Sequence, residues 1–339
     1  MGYRADKEKV ERKLKIIKRI SLGILLVCLV GLCVFSAFIP PNTWKYHVRK
    51  PRISKRQSGE ARIHFLDVGQ GDCTLLELPD GKVMLIDGGD MQPSTERTVL
   101  RYFNALKIDV IDYLVITHAD EDHCGTLDVV LKHKKVLNAY LPPTFPVDGT
   151  EYDEVYNAIL KEKCNVIYTS RTAKGLGCDN ENYPYELSFL YPYQFDVEQA
   201  LNGKTEIEDD NDFSAVLYFD YQNVGTLFAS DISAEIEEKL MFDNELGVFE
   251  NRAFDLTSTE ILKVAHHGSK YSTSAEWLRY LQTKTAVISC GAGNSYGHPA
   301  DELLTRLYQS QADVWRTDQD GSVMITISPS GEYRVTKVK

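Results

Sequence analysis

Short apolar runs separated by polar turns dominate the chain after residue 60, and their lengths predict a mixed strand-and-helix fold. Runs of about four to eight apolar residues are typical of buried strands, whereas longer stretches with helical spacing of apolar positions are typical of helices. We predict strands at 62–68, 73–78, 83–87, 110–117, 187–191, 213–221, 225–229, 261–265, 286–289 and 323–328, and helices at 94–106 and 126–133 and near 233–243, 274–282 and 300–310. The polar, turn-rich segments 170–185 and 196–212 are predicted to be long surface loops.

These strands fall into two blocks of similar size, each mixed with helices. Two sheets packed face to face, with helices on their outer sides, would bury the apolar residues of both blocks. The pattern therefore predicts an α/β fold, an αββα sandwich, over residues 61–339.

One long apolar run, residues 20–39, contains no charged side chain. A helix of that length spans about 30 Å, the thickness of a bilayer core. A cleavable signal peptide is the alternative, but it would need a shorter apolar region and a small-x-small cleavage site, and neither is clear. We therefore expect one uncleaved transmembrane anchor at 20–39, preceded by a basic segment, 1–19, and followed by a linker, 40–60.

Charge bears on the orientation of the anchor and on the substrate. Residues 1–19 hold 8 of the 38 Lys and Arg residues and 3 of the 49 Asp and Glu residues, whereas 40–59 hold 6 Lys and Arg residues. The positive-inside rule then predicts a cytoplasmic N-terminus and an extracytoplasmic domain. Beyond residue 19 the chain has 30 basic and 46 acidic side chains, a net charge of −16. Metals and a local basic patch, rather than an overall positive surface, would have to attract a nucleic acid.

The cysteines past the anchor are odd in number and lack metal-binding CxxC spacing. Cys164 and Cys178 could form a disulfide if the domain is extracytoplasmic, or they could be small buried residues, and the sequence leaves both possibilities open.

The stretch His118-Ala-Asp-Glu-Asp-His123, at the end of predicted strand 110–117, is the strongest candidate for chemistry. It places two imidazoles, His118 and His123, and two carboxylates, Asp120 and Asp122, at the mouth of a strand. Such groups are ligands of Zn, Mn and Fe, and four of them so close together can begin a two-metal site. A solvated acidic loop with incidental histidines is the alternative, but the alternation of His118, Asp120 and Asp122 favours ligands.

Carboxylates end several other predicted strands. Asp67 and Asp72, around two glycines, are expected to order a loop by accepting amide hydrogen bonds. Asp87, in Leu85-Ile-Asp-Gly-Gly89, is expected to support residues 118–123, which we call the metal loop, rather than bind metal. Asp231, after an apolar strand, is either a helix N-cap or a ligand that bridges two cations.

Histidines farther along the chain complete the candidate site. The adjacent pair His266 and His267 can present one imidazole to the metals and one beside them, and His298 can contact substrate from a loop that opens a helix. Two cations about 3.5–4 Å apart can lower the pKa of a bridging water to near 7 and clamp the oxygens of an in-line displacement. His266 would then protonate a leaving group or stabilise developing charge, with Asp122 as a further catalytic candidate. The large share of carboxylates among these groups favours harder ions such as Mn, although Zn also fits the imidazoles.

With these features in order, the chain resembles the metallo-β-lactamase superfamily and, within it, the extracytoplasmic hydrolase-like domain of the ComEC DNA-uptake proteins. The resemblance covers residues 62–328 and rests on seven motifs: Leu66-Asp-Val-Gly-Gln-Gly-Asp72, Leu85-Ile-Asp-Gly-Gly89, Thr117-His-Ala-Asp-Glu-Asp-His123, Ser230-Asp231, Val264-Ala-His-His-Gly-Ser269, Tyr296-Gly-His-Pro299 and Arg316-Thr-Asp-Gln-Asp-Gly321. It implies a metallo-β-lactamase-like αββα sandwich and a nuclease that acts on the DNA strand that is not imported.

The resemblance also implies a set of metal ligands, namely His118, Asp122, His123, Asp231 and His267. Asp120 stands where most of the superfamily has a second histidine. This replacement is typical of the ComEC-like branch, and it leaves the occupancy and identity of one metal open. The third metal-binding histidine of typical relatives is not evident, and Asn211 or Ser214 falls near its place. ComEC proteins also carry a many-helix channel and an OB-like domain, so we expect a stand-alone, membrane-anchored hydrolase domain here.

Three functions remain open at this point. The first is a metal-dependent phosphodiesterase or nuclease with two divalent ions, Zn or Mn, a membrane anchor and DNA or another phosphodiester as substrate. The second is a cell-surface phosphodiesterase of choline-decorated polymers, for which Tyr191, Tyr193, Tyr271 and Tyr296 are candidate contacts to the quaternary ammonium. The third is a non-catalytic surface binding module, and the fold alone separates none of them. The sequence identifies no protein partner.

Overall fold

The computed structural model of the protein describes residues 2–178, 180–204, 210–249 and 255–338, with side chains from residue 9 onward. The chain forms two compact units, Met1–Arg49 and Lys50–Lys339. The predicted loop 196–212 includes residues 205–209, which lie outside the described residues.

The first unit contains one long helix, α1 (Gly2–Phe38), and a 3-10 turn at Pro41–Tyr46. Lys9–Phe38 is long and apolar enough to cross a membrane, a criterion that a signal sequence also meets. Apolar side chains along α1 are exposed, Val27 by 72%, which is unfavourable in water and favourable in lipid. Residues 2–19 of the predicted basic segment and residues 20–38 of the predicted span thus lie on one continuous helix.

The second unit alternates strands and helices. In chain order its elements are β1 (Ala61–Phe65), β2 (Thr74–Glu77), β3 (Val83–Ile86), α2 (Pro93–Leu106), β4 (Val110–Val115), α3 (Glu121–Cys124), α4 (Leu127–His133), β5 (Lys135–Leu141), α5 (Glu151–Glu162), β6 (Asn165–Tyr168), β7 (Tyr185–Tyr191), α6 (Gln194–Leu201), β8 (Val216–Tyr221), β9 (Val224–Phe228), α7 (Ala234–Glu245), β10 (Thr259–Lys263), α8 (Ala275–Leu281), β11 (Thr285–Ile288), α9 (Asp301–Ser310), β12 (Asp313–Arg316), α10 (Thr317–Asp320), β13 (Val323–Ile327) and β14 (Tyr333–Lys337).

The strands form two sheets. The first has the order β14-β13-β1-β2-β3-β4-β5-β6, and the second has the order β12-β11-β10-β9-β8-β7. In the first sheet β3 to β6 are parallel, and in the second β9 to β12 are parallel. The remaining pairs are antiparallel.

Apolar layers between the sheets and on their outer sides hold this unit together. Between the sheets, side chains of β1 and β9 meet at Phe65 and Phe228, whose ring centroids lie 6.3 Å apart. On the outer side of the second sheet, helices α7, α8 and α9 pack their apolar faces, with Trp277 fully buried. On the outer side of the first sheet, α2 buries Tyr102, whose hydroxyl contacts His64 of β1 at 2.9 Å. The predicted αββα sandwich is therefore confirmed.

Several sequence predictions differ from the structure at the weakly patterned elements. The segment 196–212 is not wholly a loop, because α6 extends to Leu201 and buries Val197 and Ala200. Strand β8 begins at Val216 rather than at residue 213, since residues 210–213 form a 3-10 turn. The edge strands β12 and β14 were not anticipated, because an edge strand is stabilised by pairing and needs little apolar content.

The later part of the predicted linker, 50–60, belongs to the second unit. Arg62, only 1% exposed, donates to the carbonyl oxygens of Ser54 at 2.7 Å and Lys55 at 3.1 Å. Arg56 donates to the carbonyl of Leu78. These bonds tie residues 54–56 to the first sheet, while the domain boundary at residue 61 stays a prediction.

The sequence left open whether Cys164 and Cys178 form a disulfide. Both are free thiols and are partly exposed. The Cys178 thiol lies 3.3 Å from the carbonyl oxygens of Asn180 and Tyr183.

Candidate metal centre

The candidate residues lie on loops that follow strand ends. Loops after β3 and β4 in the first sheet, and after β9 and β10 in the second, carry Asp87, the 118–123 stretch, Asp231 and the pair His266-His267. Because these strands are parallel within each sheet, their carboxyl ends open on the same edge. The fold thus gathers groups that are far apart along the chain.

Four of the predicted ligands converge closely. His123 Nε2 lies 3.3 Å from His267 Nε2, and Asp231 reaches both rings at 3.3 Å, one through each oxygen. Asp122 Oδ2 lies 3.2 Å from His267 Nε2. His123, Asp231 and His267 are buried.

Hydrogen bonds on the far side of the imidazoles fix where their protons lie. His123 Nδ1 is 2.8 Å from Asp87 Oδ2, and His267 Nδ1 is 3.0 Å from the carbonyl of Ser289. Both partners only accept hydrogen bonds, so we assign the protons to Nδ1. When the imidazoles are neutral, each Nε2 directs a lone pair toward the other ring and toward the carboxylates. A cluster made only of lone pairs and negative oxygens fits a divalent cation.

His118 follows the same arrangement. The Thr117 hydroxyl donates to Asp87 Oδ2 at 2.7 Å and lies 3.0 Å from His118 Nδ1, so it accepts the proton of that nitrogen. His118 Nε2 is buried and has no hydrogen-bond partner among the described residues. Its ring centroid lies 4.0 Å from that of His123. Asp87 therefore supports both imidazoles from behind, as the sequence analysis predicts.

Charges in the cluster shift its pKa values strongly. Burial lowers the pKa of His123, but the carboxylates of Asp231 and Asp87 raise it well above its usual value. Burial raises the pKa of Asp231, yet the imidazoles of His267 and His123 hold it well below its usual value. The Asp231 carboxylate therefore stays ionised and requires positive charge beside it, which protons or metal ions can supply.

Asp120 and Ser214 lie at the His118 side of the cluster. Asp120 Oδ2 is 3.6 Å from His118 Nε2, and the neighbouring His118 lowers the Asp120 pKa. Ala215 donates its backbone N–H to the Thr117 carbonyl at 3.0 Å, which brings the preceding Ser214 next to the metal loop. Its hydroxyl is buried, and within the described chain it has no hydrogen-bond partner.

His266 and His298 border the cluster on its more open side. His266 Nε2 lies 3.8 Å from Asp231 Oδ2. The His298 ring meets the His266 ring nearly at right angles, with centroids 5.7 Å apart. Burial, and then the neighbouring His266, lower the pKa of His298.

Asp72 is a site residue that the sequence analysis assigned only to loop ordering. Together with His123, Asp231 and His267 it offers ligand atoms within 4.8 Å of one another. Its Oδ1 lies 3.3 Å from His267 Nδ1, and its Oδ2 forms a 2.6 Å ion pair with the buried Lys263. Burial raises its pKa, but Lys263 and His267 lower it to about 2. Since it faces Nδ1, we interpret Asp72 as a support for His267.

Replacing Gly71 by alanine should lower metal affinity by about 10- to 100-fold, as loss of groups that orient metal ligands does. A Cβ at Gly71, whose φ is +118°, would lie 2.1 Å from the Asp122 carbonyl oxygen, so the metal loop would have to move. Gly69→Ala is the matched control, because φ is +85° there but no described atom lies within 4 Å of the new Cβ. Isothermal titration with Mn²⁺ should show a lower affinity for Gly71→Ala alone. Equal affinities in both variants would contradict the idea that the close approach of Gly71 to Asp122 positions the metal loop.

The loop after His267 is held by a buried carboxylate. Glu237 of α7 accepts hydrogen bonds from the N–H groups of Thr273 and Ser274. From the other side, Arg306 of α9 donates to the carbonyl oxygens of Thr273 at 3.0 Å and Ser272 at 2.9 Å. Burial raises the pKa of Glu237 from 4.5 to about 7.

We expect this carboxylate to make stability depend on pH. Because the folded state binds the Glu237 proton more tightly, the free energy of unfolding should fall as pH rises from about 4.5 to 7, by at most about 3 kcal/mol. Urea unfolding of metal-free protein across this range should show that decrease in the wild type and in the exposed control Glu238→Gln. Glu237→Gln should lack it, and identical slopes in all three would refute the assignment.

Residues 66–292 match the family model of the metallo-beta-lactamase superfamily. ComE operon protein 3 of Bacillus subtilis is 29% identical over 78% of this chain and 33% of its own length. Recombination protein 2 of Haemophilus influenzae is 28% identical over 91% of this chain and 32% of its own length. The chain thus spans about a third of the length of these relatives. A solved diphosphatase of the PhnP family is 14% identical over 79% of this chain and 99% of that protein, with a TM-score of 0.42.

The family match covers most of the sandwich and all but one of the candidate ligand and catalytic positions, the exception being His298. These two relatives and a third, the competence protein ComA of Neisseria gonorrhoeae, are consistent with a ComEC-like hydrolase domain. The chain belongs to the metallo-β-lactamase superfamily.

Proposed function

We propose that this protein is a metal-dependent phosphodiesterase that cleaves nucleic acid, with His118, Asp120, Asp122, His123, Asp231 and His267 as ligands of two divalent ions, Zn or Mn. The observation that carries the proposal is the convergence of imidazole lone pairs and carboxylate oxygens at distances of 3.2 to 3.3 Å. Recombination protein 2 and the competence protein ComA, which are named for processes that act on DNA, support DNA as the polymer.

The chain's own groups have separable tasks in this reaction. Asp87 and the Ser289 carbonyl keep the protons of His123 and His267 on Nδ1, so that both Nε2 atoms remain available as ligands. Divalent metal in the site would supply Lewis-acid chemistry, polarising a phosphoryl oxygen and acidifying water. His266, which is partly exposed and lies 3.8 Å from Asp231, would give a proton to the departing oxygen. His298 would contact the substrate beside it.

We also propose that residues 20–39 anchor the protein in a membrane, with the hydrolase domain outside the cytoplasm. The length and apolar character of Lys9–Phe38 support the anchor. The eight basic residues among 1–19 support a cytoplasmic N-terminus.

Metal content and substrate range test this function. The full chain, purified in detergent, would be assayed for bound metal and for hydrolysis of bis(p-nitrophenyl) phosphate, single- and double-stranded DNA, and p-nitrophenyl phosphorylcholine, with Mn²⁺, Zn²⁺ or EDTA. DNA cleavage that EDTA abolishes is the expected result. Turnover of the choline ester alone would favour the surface-polymer phosphodiesterase, and a metal-free, inactive protein would favour a binding module.

A further inference from the structure

Tyr296 presents an open aromatic face beside the metal centre. Its side chain is 68% exposed. Its ring stacks on the His298 imidazole, with centroids 5.9 Å apart and planes inclined by 25°. One face of the phenol ring is therefore backed by an imidazole, and its high exposure leaves the other face to solvent.

A row of rings connects this face to the candidate ligands. His298 meets His266 edge-on at 5.7 Å, and His266 Nε2 lies 3.8 Å from Asp231 Oδ2. Tyr296 is the outermost member of this row. A group that lies on Tyr296 would consequently be a neighbouring part of an extended substrate rather than the part that reacts.

The loop that carries Tyr296 is fixed by Asn294. The Asn294 amide donates to the carbonyl oxygens of Gly291, at 2.9 Å, and of His298. Its Oδ1 accepts from the N–H groups of Tyr296 at 3.1 Å and His298 at 3.0 Å. Because these bonds hold the backbone on both sides of Tyr296, binding to its face would cost little conformational entropy.

The other tyrosines considered for the site do not offer such a face. Tyr191 is 4% exposed and donates to the Asp212 carbonyl, and Tyr193 donates to Asp243 while the Arg171 guanidinium lies 4.4 Å from its ring centroid. Tyr271 is exposed, but the Lys270 ammonium lies 5.0 Å from its ring centroid. An aromatic cage for a quaternary ammonium needs several open rings around one cation. Of these four, Tyr296 alone is open and has no cationic side chain over its ring among the residues that the structure describes.

We propose that Tyr296, backed by His298, stacks against a base of a single-stranded nucleic acid that lies one or more nucleotides away from the scissile phosphodiester. The inference rests on the nuclease function proposed above and adds a residue that sets substrate preference. A single flat face suits any base, since stacking does not depend on the pattern of hydrogen-bonding groups. Lys270, on the loop that follows His267, adds a positive charge that can bind a phosphate. Its backbone carbonyl accepts a hydrogen bond from Arg306 at 3.1 Å.

Single-stranded oligonucleotides of about 12 nucleotides would test this, one intact and one with abasic sites throughout except at its labelled end. The full-length protein with Mn²⁺ would be compared with Tyr296→Ala, Tyr296→Phe and Tyr308→Ala. Tyr308 of α9 is a matched exposed tyrosine, and its removal should change nothing. KM and kcat would be measured together with the affinity for each oligonucleotide by fluorescence anisotropy.

Tyr296→Ala should raise KM for the intact strand by about 5- to 30-fold with little change in kcat, and Tyr296→Phe should behave like the wild type. On the abasic strand all four proteins should share a similarly high KM. An equal loss on both strands, or no loss on either, would overturn the stacking role.

The two proposals can fail separately. Cleavage of the intact strand that is insensitive to Tyr296→Ala would leave the nuclease function standing and remove the stacking face. Binding without cleavage, weakened by Tyr296→Ala on the intact strand only, would remove the nuclease function and keep the stacking face. Turnover of a choline ester with no binding of either strand would overturn both.

Discussion

Replacing Asp231 by asparagine should lower kcat/KM for phosphodiester hydrolysis on the order of 10³-fold, about 4 kcal/mol of transition-state stabilisation. Asp231 contacts His123, His267 and His266 through its two oxygens, at 3.3, 3.3 and 3.8 Å. The substitution keeps the shape of the side chain but removes the negative charge that both cation positions would share. We therefore expect loss of bound metal together with loss of turnover.

Asp220 provides a control in the same sheet. It lies on β8 opposite Gly225, near the start of β9, whereas Asp231 follows the end of β9. Asp220→Asn should bind metal and hydrolyse bis(p-nitrophenyl) phosphate as the wild type does. Metal content by elemental analysis and steady-state kinetics would be measured for both variants. An Asp231→Asn protein with full metal content and wild-type kcat would show that Asp231 is not a ligand.

The sequence predicts those parts of the site whose potential ligands lie close together along the chain. Four potential ligands within the 118–123 stretch, and two adjacent histidines at 266 and 267, are unusual enough to indicate metal by themselves. Each of these groups follows the end of a predicted buried strand, so the strand pattern also predicts that they lie at the edge of a sheet. Their convergence depends on the order of strands in two sheets, which the apolar pattern does not contain, and the resemblance implied only which residues are ligands.

The support of His267 by Asp72 and Lys263 could not be predicted. Lys263 ends an apolar strand, where a lysine ordinarily marks the return to solvent, yet it is 2% exposed. Its partner Asp72 lies on the other sheet's loop, and no local pattern links the two residues. Likewise, edge strands β12 and β14 are defined by pairing with a neighbour, which the sequence of one strand does not contain.

Replacing Lys263 by methionine should destabilise the metal-free protein by about 3–5 kcal/mol. The ammonium forms a 2.6 Å ion pair with Asp72 Oδ2 and donates to the Val264 carbonyl at 2.9 Å, and both partners of the ion pair are buried. Methionine fills a similar volume but leaves the Asp72 carboxylate without its main cation. The double variant Asp72→Asn/Lys263→Met should be less destabilised than Lys263→Met, because it no longer buries an unpaired charge.

Metal should act on these variants in a way that separates charge from packing. In Lys263→Met the Asp72 carboxylate still lies beside His267, so the bound cation becomes its nearest positive charge and should stabilise this variant more than it stabilises the wild type. Urea unfolding followed by tryptophan fluorescence would be measured in EDTA and with excess Mn²⁺, and the difference between Lys263→Met and wild type should shrink when metal is added. A difference that is unchanged by metal, and unchanged in the double variant, would mean that lost packing around the lysine stem, rather than an unpaired Asp72, destabilises the protein.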